Sequence, residues 1–163
     1  MKKVISILLV LAMSLGLCAC DLGGTELTIS NIEDYVDISC SIYPDNYYKR
    51  PINAINGTVY SDEPRSISAH CNVEGLSTNF NYKNVVITLK VFGEYTKSEI
   101  LPNGFVSGSD AESVSFEKTI ELRTDIAGGG SISQEIFNST DSIVLSYSID
   151  YKIISVSGVA KSA

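Results

Sequence analysis

The sequence predicts an all-β protein, an antiparallel sandwich of about seven to nine strands. Apolar and polar residues alternate with a period of two along most of the chain, which is typical of half-buried strands. Clusters of Gly, Asn and Pro separate the alternating segments, and these residues favour turns. No segment keeps a helical period over three turns, so the turn-separated strands predict a sandwich.

The predicted strands follow one another at short intervals. The most regular alternation covers 85–92, and the longest covers 143–153, with a continuing or closing segment at 156–159. The other predicted strands are 26–30, 36–43, 55–60, 66–73, 114–122 and 131–137. Turns are predicted at Asn56-Gly57, Asp62-Glu63-Pro64, Glu74-Gly75, Pro102-Asn103-Gly104, Gly108-Ser109-Asp110 and Gly128-Gly129-Gly130.

Residues 31–36 interrupt the strand pattern. Asn31 can cap a helix, and Glu33 and Asp34 complement the positive start of one. We therefore expect a single helical turn between two strands.

The first twenty residues have the zones of a bacterial export signal. Lys2 and Lys3 form a positive start, and an apolar run of 14 residues follows at 4–17. A membrane-spanning helix needs roughly 20 apolar residues, so this run is too short to span but has the length of a signal-peptide core.

Leu-Cys-Ala-Cys at 17–20 resembles the lipobox of bacterial lipoproteins, with Leu at −3, a small residue at −1 and Cys at +1. Ala19 suits the tight site before the cut, whereas lipidation of Cys18 would place Leu17 there. We therefore expect 1–19 to be a signal peptide and Cys20 to carry acyl chains such as palmitate. Residues 20–25 would be the lipidated cysteine with a short tether, and 26–163 would be one domain. The lipid would hold that domain on the cell membrane, outside the cytoplasm.

The charge of the chain excludes one class of partner. The precursor has 12 basic and 19 acidic side chains, and removal of Lys2 and Lys3 leaves 10 against 19, a formal charge of −9. An acidic domain without a basic cluster is repelled by phosphate backbones. Nucleic acid is therefore not expected as a partner.

Cys40 and Cys71 remain after the two N-terminal cysteines are assigned. Each has apolar neighbours two positions away, so both are expected to point inward. Outside the cytoplasm a disulfide is permitted, and closing a loop of about 30 residues would stabilise the fold by roughly 3–4 kcal/mol. Two reduced cysteines acting as small apolar side chains fit the same pattern. The sequence leaves both interpretations open.

The order of an extended strand, then Asn-Val-Val-Ile-Thr-Leu-Lys-Val-Phe-Gly at 84–93, then a Phe-containing strand at 114–122 resembles a known family. It is similar to the order in small bacterial lipoproteins with immunoglobulin-like domains of the FxLYD type. Separately, Leu-Thr-Ile-Ser-Asn-Ile-Glu-Asp-Tyr-Val at 27–36, which follows the predicted lipidated cysteine, is similar to the opening of Gram-positive lipoproteins of unassigned function. The resemblance implies an immunoglobulin-like sandwich in the cell envelope, without known catalysis.

A search for catalytic chemistry identifies no candidate residues. His70 is the only histidine, it is expected on the outer face of its strand, and no Gly-x-Ser-x-Gly motif accompanies it. One histidine and two inward cysteines do not form a zinc motif. The acidic pairs in turns are weak calcium candidates, and we interpret them as solvated. We therefore predict no catalytic residue, no metal site and no cofactor.

The segment 43–51 is the best candidate for recognition. It is predicted as a loop between strands and contains Tyr43, Tyr47, Tyr48, Lys49 and Arg50. Tyrosine and arginine are enriched in recognition surfaces, and two cations in an acidic protein could meet an anionic partner. The alternative is that the tyrosines cover the end of the sandwich.

Two functional interpretations follow. The first is a non-catalytic interaction module, anchored by its lipid and contacting an envelope protein or wall polymer. The second is an envelope enzyme, a hydrolase, whose site has no recognisable motif.

Overall fold

The computed structural model describes residues 23–54, 57–107 and 109–163. Strands contain 76% of these residues, and this part of the chain has no α-helix. A short 3-10 helix covers Ile32–Asp34. The seven strands are β1 Gly24–Glu26, β2 Val36–Ala54, β3 Gly57–Gly75, β4 Phe80–Glu99, β5 Glu112–Arg123, β6 Gly130–Asn138 and β7 Ser142–Ser162.

The strands form two antiparallel sheets. The first has the order β1-β7-β4-β5, and the second has the order β2-β3-β6. β2 and β3 form one long hairpin that keeps a constant register from Val36 opposite Gly75 to Ala54 opposite Gly57. The prediction of an all-β, antiparallel fold is confirmed, and the strand number lies within the predicted range.

The core lies between the two sheets. The inward residues of β4 are at most 1% exposed, as their alternation predicts: Val85, Ile87, Leu89 and Val91. The same cluster contains Ile38 of β2, Val73 of β3 and Leu122 of β5. Burial of these apolar side chains is the main force that holds the sheets together.

The segment 43–51 is not a loop, so this part of the sequence prediction is wrong. It lies within β2, where Pro44 is opposite Ile67 and Pro51 is opposite Tyr60. β2 is an edge strand with a neighbour on one side only, and edge strands are where proline is tolerated within a sheet. The prolines therefore do not end the strand.

The predicted turn at 62–64 is also absent. The chain continues through Pro64 as one strand, β3, which joins the predicted strands 55–60 and 66–73. β3 pairs with β6 only from Val73 to Ser66, so the strand has no partner on that side at Pro64. The missing proline N–H thus breaks no ladder hydrogen bond there.

The first strand begins two residues before the predicted strand 26–30. β1 begins at Gly24, so Gly24 and Thr25, which the sequence assigns to the tether, pair with Lys161 and Ala160 of β7. The predicted signal peptide 1–19 and Cys20 lie outside the described residues.

The helical turn after β1 is confirmed, but Asn31 does not cap it through its side chain. The Asn31 side chain instead accepts a hydrogen bond from the backbone N–H of Thr28 and donates one to the carbonyl of Glu26. In the described ranges, no helix is long and apolar enough to cross a membrane.

Candidate functional site

The outer end of the β2–β3 hairpin, residues 47–54 and 57–64, forms a distal ribbon. Because β6 stops opposite Ser66, the ribbon has only two strands. From the pair Tyr48–Glu63 outward, the described residues other than Tyr48 form hydrogen bonds and ion pairs only within the ribbon, where Glu63 pairs with Arg50 and accepts a hydrogen bond from Ser61. From that pair to Ala54 the strand advances six residues, so the ribbon projects about 20 Å at roughly 3.3 Å per residue.

Tyr48 joins the base of the ribbon to the rest of the domain. Its hydroxyl donates a 2.8 Å hydrogen bond to the carbonyl oxygen of Gly104, in the turn between β4 and β5. Its ring also lies 4.8 Å from the guanidinium carbon of Arg65, a cation–π distance. Tyr48 is therefore the tyrosine of this segment that covers the end of the sandwich.

Tyr43 and Tyr47 lie elsewhere and are solvent-exposed. Tyr43 is 63% exposed and packs beside the ring of His70 on the outer face of the sheet. Tyr47 is 55% exposed, and its hydroxyl makes only a 3.4 Å contact with the carbonyl of Pro44. The structure thus separates the three tyrosines that the sequence grouped together.

The two cations of the segment are balanced by acidic residues on β3. Lys49 is directly opposite Asp62, and an Arg50 guanidinium nitrogen is 3.8 Å from a carboxylate oxygen of Glu63. The ribbon therefore has no net charge, and the positive spot that the sequence suggested is neutralised. Attraction of an anionic partner does not follow from this arrangement.

Sequence reasoning missed an apolar group on the ribbon. Ile52 and Val59 are opposite each other, and Tyr60 is opposite Pro51. Ile52, Val59 and Tyr60 are 43%, 56% and 63% exposed. The Asn56-Gly57 signal favours a hairpin in which residue 55 is opposite residue 58. The observed register has Ala54 opposite Gly57, and it places Ile52 and Val59 on one face of the ribbon and Tyr60 on the other.

Cys40 and Cys71 are directly opposite each other in the β2–β3 register, and both are free thiols in the structure. Cys71 is fully buried, and Cys40 is half-buried. The main cause that raises the pKa of the Cys40 thiol is its hydrogen bond with Cys71, and the second cause is burial. The same hydrogen bond lowers the pKa of Cys71. Tyr151 of β7 lies beside them, and its hydroxyl donates a hydrogen bond to the carbonyl oxygen of Ile38. Burial raises the pKa of this hydroxyl, and the nearby Cys40 raises it further.

His70 lies on the outer face of the second sheet, as expected. Its Nδ1 is 2.9 Å from Oγ of Ser133 on β6. No described carboxylate forms a hydrogen bond with the His70 ring, so the pair lacks the third group that orients a catalytic histidine.

Potential metal ligands do not converge in the described part of the chain. No group of three His, Cys, Asp or Glu side chains there could hold a metal ion. Comparisons with known proteins add no assignment, since no family model, no curated protein and no solved structure matches this chain.

Proposed function

We propose that this protein is a lipid-anchored envelope lipoprotein that binds a partner protein through the distal ribbon and performs no catalysis. The single observation that carries the proposal is the exposure of four apolar side chains on the two faces of the ribbon, each more than 40%: Ile52 and Val59 on one face, Tyr47 and Tyr60 on the other. Exposed apolar side chains that cluster on one protrusion are typical of interaction sites.

The backbone of the ribbon supports a protein as the partner. β2 is an edge strand along its whole length, and β3 has no β6 partner beyond Ser66. Both strands therefore have an unpaired edge, and such edges accept an added strand from another protein. A two-stranded hairpin is only marginally stable by itself, so added pairing would also stabilise the ribbon.

The position of the anchor supports the same function. The lipobox assigns the lipid to Cys20, four residues before β1, and β1 pairs with the C-terminal end of β7. The other end of β7, at Ser142, pairs with Glu99. Glu99 precedes the turn that contains Gly104, whose carbonyl accepts the hydrogen bond from Tyr48. The ribbon thus points away from the anchored end. β2 has 19 residues, so its tip is about 60 Å from its start at 3.3 Å per residue.

We further propose that the sandwich is immunoglobulin-like, as the resemblance to FxLYD-type lipoproteins implies. The division of the described strands into antiparallel sheets of four and three supports this proposal, since constant-type immunoglobulin domains have the same division. The strand orders, β1-β7-β4-β5 and β2-β3-β6, differ from the immunoglobulin orders, so the proposal concerns the sandwich architecture and not the strand connections.

Site-specific crosslinking in the native cells tests the ribbon. A photoreactive side chain replaces Tyr60 in the full-length protein, and a control protein has the same group at Ile126, which is 69% exposed outside the ribbon. We expect one defined protein adduct from position 60 and none of the same mass from position 126. Equal adducts from both positions would show nonspecific contact and reject the proposal.

Matched substitutions then measure the contribution of the apolar group to partner binding. The ribbon variant replaces three exposed side chains with threonine: Ile52, Val59 and Tyr60. The control variant makes the same change outside the ribbon: Ile29, Ile126 and Ile154. We expect the ribbon variant to weaken binding of the crosslinked partner by about 2 kcal/mol or more, roughly 30-fold. The control variant should bind normally, and comparable losses in both variants would contradict the proposal.

A further inference from the structure

The cysteine pair lies where a covalent bond requires no change of the backbone. Cys40 and Cys71 face each other directly, and their neighbouring pairs are in the same register, Ile38 with Val73 and Ile42 with Ala69. Facing residues in an antiparallel ladder have Cα atoms about 4.5–5.5 Å apart. Disulfides span about 4.4–6.8 Å between Cα atoms, so the register alone satisfies this requirement.

The side chains are also oriented towards each other. Cys40 and Cys71 share the inward face of the hairpin, since Cys71 is in the core cluster and Cys40 packs against it. Cys71 is completely buried, whereas Cys40 is partly accessible. A reagent from solvent therefore reaches Cys40 first, and Cys71 is in position to react with whatever is attached there.

We propose that Cys40 and Cys71 form a cross-strand disulfide by exchange with an external disulfide oxidant. Although the pKa of Cys40 is raised, Cys40 is the cysteine that solvent reaches, so the oxidant meets it first. After losing its proton, the Cys40 sulfur attacks the oxidant, breaks its S–S bond and forms a mixed disulfide, while one thiol of the oxidant leaves. The Cys71 thiolate then attacks Sγ of Cys40 and releases the second thiol. The two cysteine protons end on the two released thiols, and the oxidant takes up the two electrons.

The bond would have a mechanical role, and this consequence depends on the proposed function. The segment between Cys40 and Cys71 contains the entire distal ribbon, so the disulfide would close the base of the hairpin. A partner that pulls on the ribbon of an anchored protein separates β2 from β3 pair by pair. A disulfide would stop that separation before it reaches the inner part of the sandwich.

Intact-mass measurement tests the site on the purified full-length protein. The protein is reduced, freed of reductant and incubated with oxidised glutathione. We expect a species that has lost two hydrogen atoms, has no glutathione adduct, and gives a crosslinked peptide pair containing Cys40 and Cys71. Two unreacted thiols or a stable glutathione adduct on the unaltered protein would overturn the proposal.

Two single substitutions verify the order of the reaction. Cys71→Ala should trap a glutathione adduct on Cys40, because the resolving thiol is missing. Cys40→Ser should leave Cys71 unmodified in the folded protein and reactive after unfolding. An adduct on folded Cys71 at the rate seen for Cys40 would refute the proposed order.

The state of the protein in cells separates this proposal from the proposed location. Cells are quenched with acid, and the protein is then alkylated under denaturing conditions, which should label neither cysteine if the domain is outside the cytoplasm. Labelling of both in cells, together with bridge formation in vitro, would reject the envelope location and leave the disulfide site supported.

Discussion

Replacing Tyr48 with phenylalanine removes one phenolic oxygen and keeps the ring. That oxygen donates the 2.8 Å hydrogen bond to the carbonyl of Gly104 at the base of the ribbon. A hydrogen bond of this kind contributes about 0.5–1.5 kcal/mol net, so we expect Tyr48→Phe to lower the free energy of unfolding by about 1 kcal/mol. The ring contact with Arg65 remains in this variant.

The neighbouring residue provides a matched control. Tyr47→Phe removes the same atom, but the Tyr47 hydroxyl is exposed and makes only a 3.4 Å contact with the carbonyl of Pro44. That length is beyond the usual range for a hydrogen bond from a hydroxyl group. We therefore expect the free energy of unfolding to change by less than about 0.5 kcal/mol, as for most surface substitutions.

Equilibrium urea unfolding of the soluble domain, residues 21–163, measures both variants. Tyr48→Phe should lower the denaturation midpoint without changing the m-value, and the melting temperature should fall by roughly 3–4 °C for a domain of this size. Equal effects of the two substitutions, or a fully stable Tyr48→Phe protein, would refute the assignment of Tyr48 as the residue that docks the ribbon.

Two further predictions concern a glycine within β7 and the anchor. Gly158→Ala should destabilise the fold by about 3 kcal/mol or more in thermal unfolding, because φ is +119° and the added Cβ would lie 2.6 Å from the Cα of Val85. Gly57→Ala, with φ +129° and open space around it, should cost only about 1 kcal/mol of backbone strain, and equal losses would contradict the role of the contact. Cys20→Ser should abolish metabolic lipid labelling and membrane association, whereas Cys18→Ser should change neither. Labelling that persists in Cys20→Ser would reject the lipobox assignment.

The strands with a regular alternation were predictable because alternation is a local property. Val85, Ile87, Leu89 and Val91 had to share one face of any strand, and that face is the core of the domain. The same reasoning placed Cys40 and Cys71 inward. Their direct opposition was not predictable, because it depends on the register of the whole hairpin.

The prediction of a recognition loop at 43–51 failed for a physical reason. Proline and clustered tyrosines favour a loop when only near neighbours are considered. In the folded chain Pro44 and Pro51 are on an edge strand, where a missing N–H is tolerated. Whether a strand is an edge or a centre depends on which strands pair, and a local pattern does not contain that information.

The sequence by itself determined the all-β class, the inward faces of the regular strands and the expectation of a lipidated Cys20, because each depends on residues close together in the chain. Tertiary structure alone decided that Tyr48 docks while Tyr47 is exposed, since the acceptor of Tyr48 is a carbonyl 56 residues away. It also decided that Arg50 is paired with Glu63 and that Ile52 and Val59 are exposed side by side, directly opposite each other. These features arise from strand pairing, which brings together residues that are distant in the sequence.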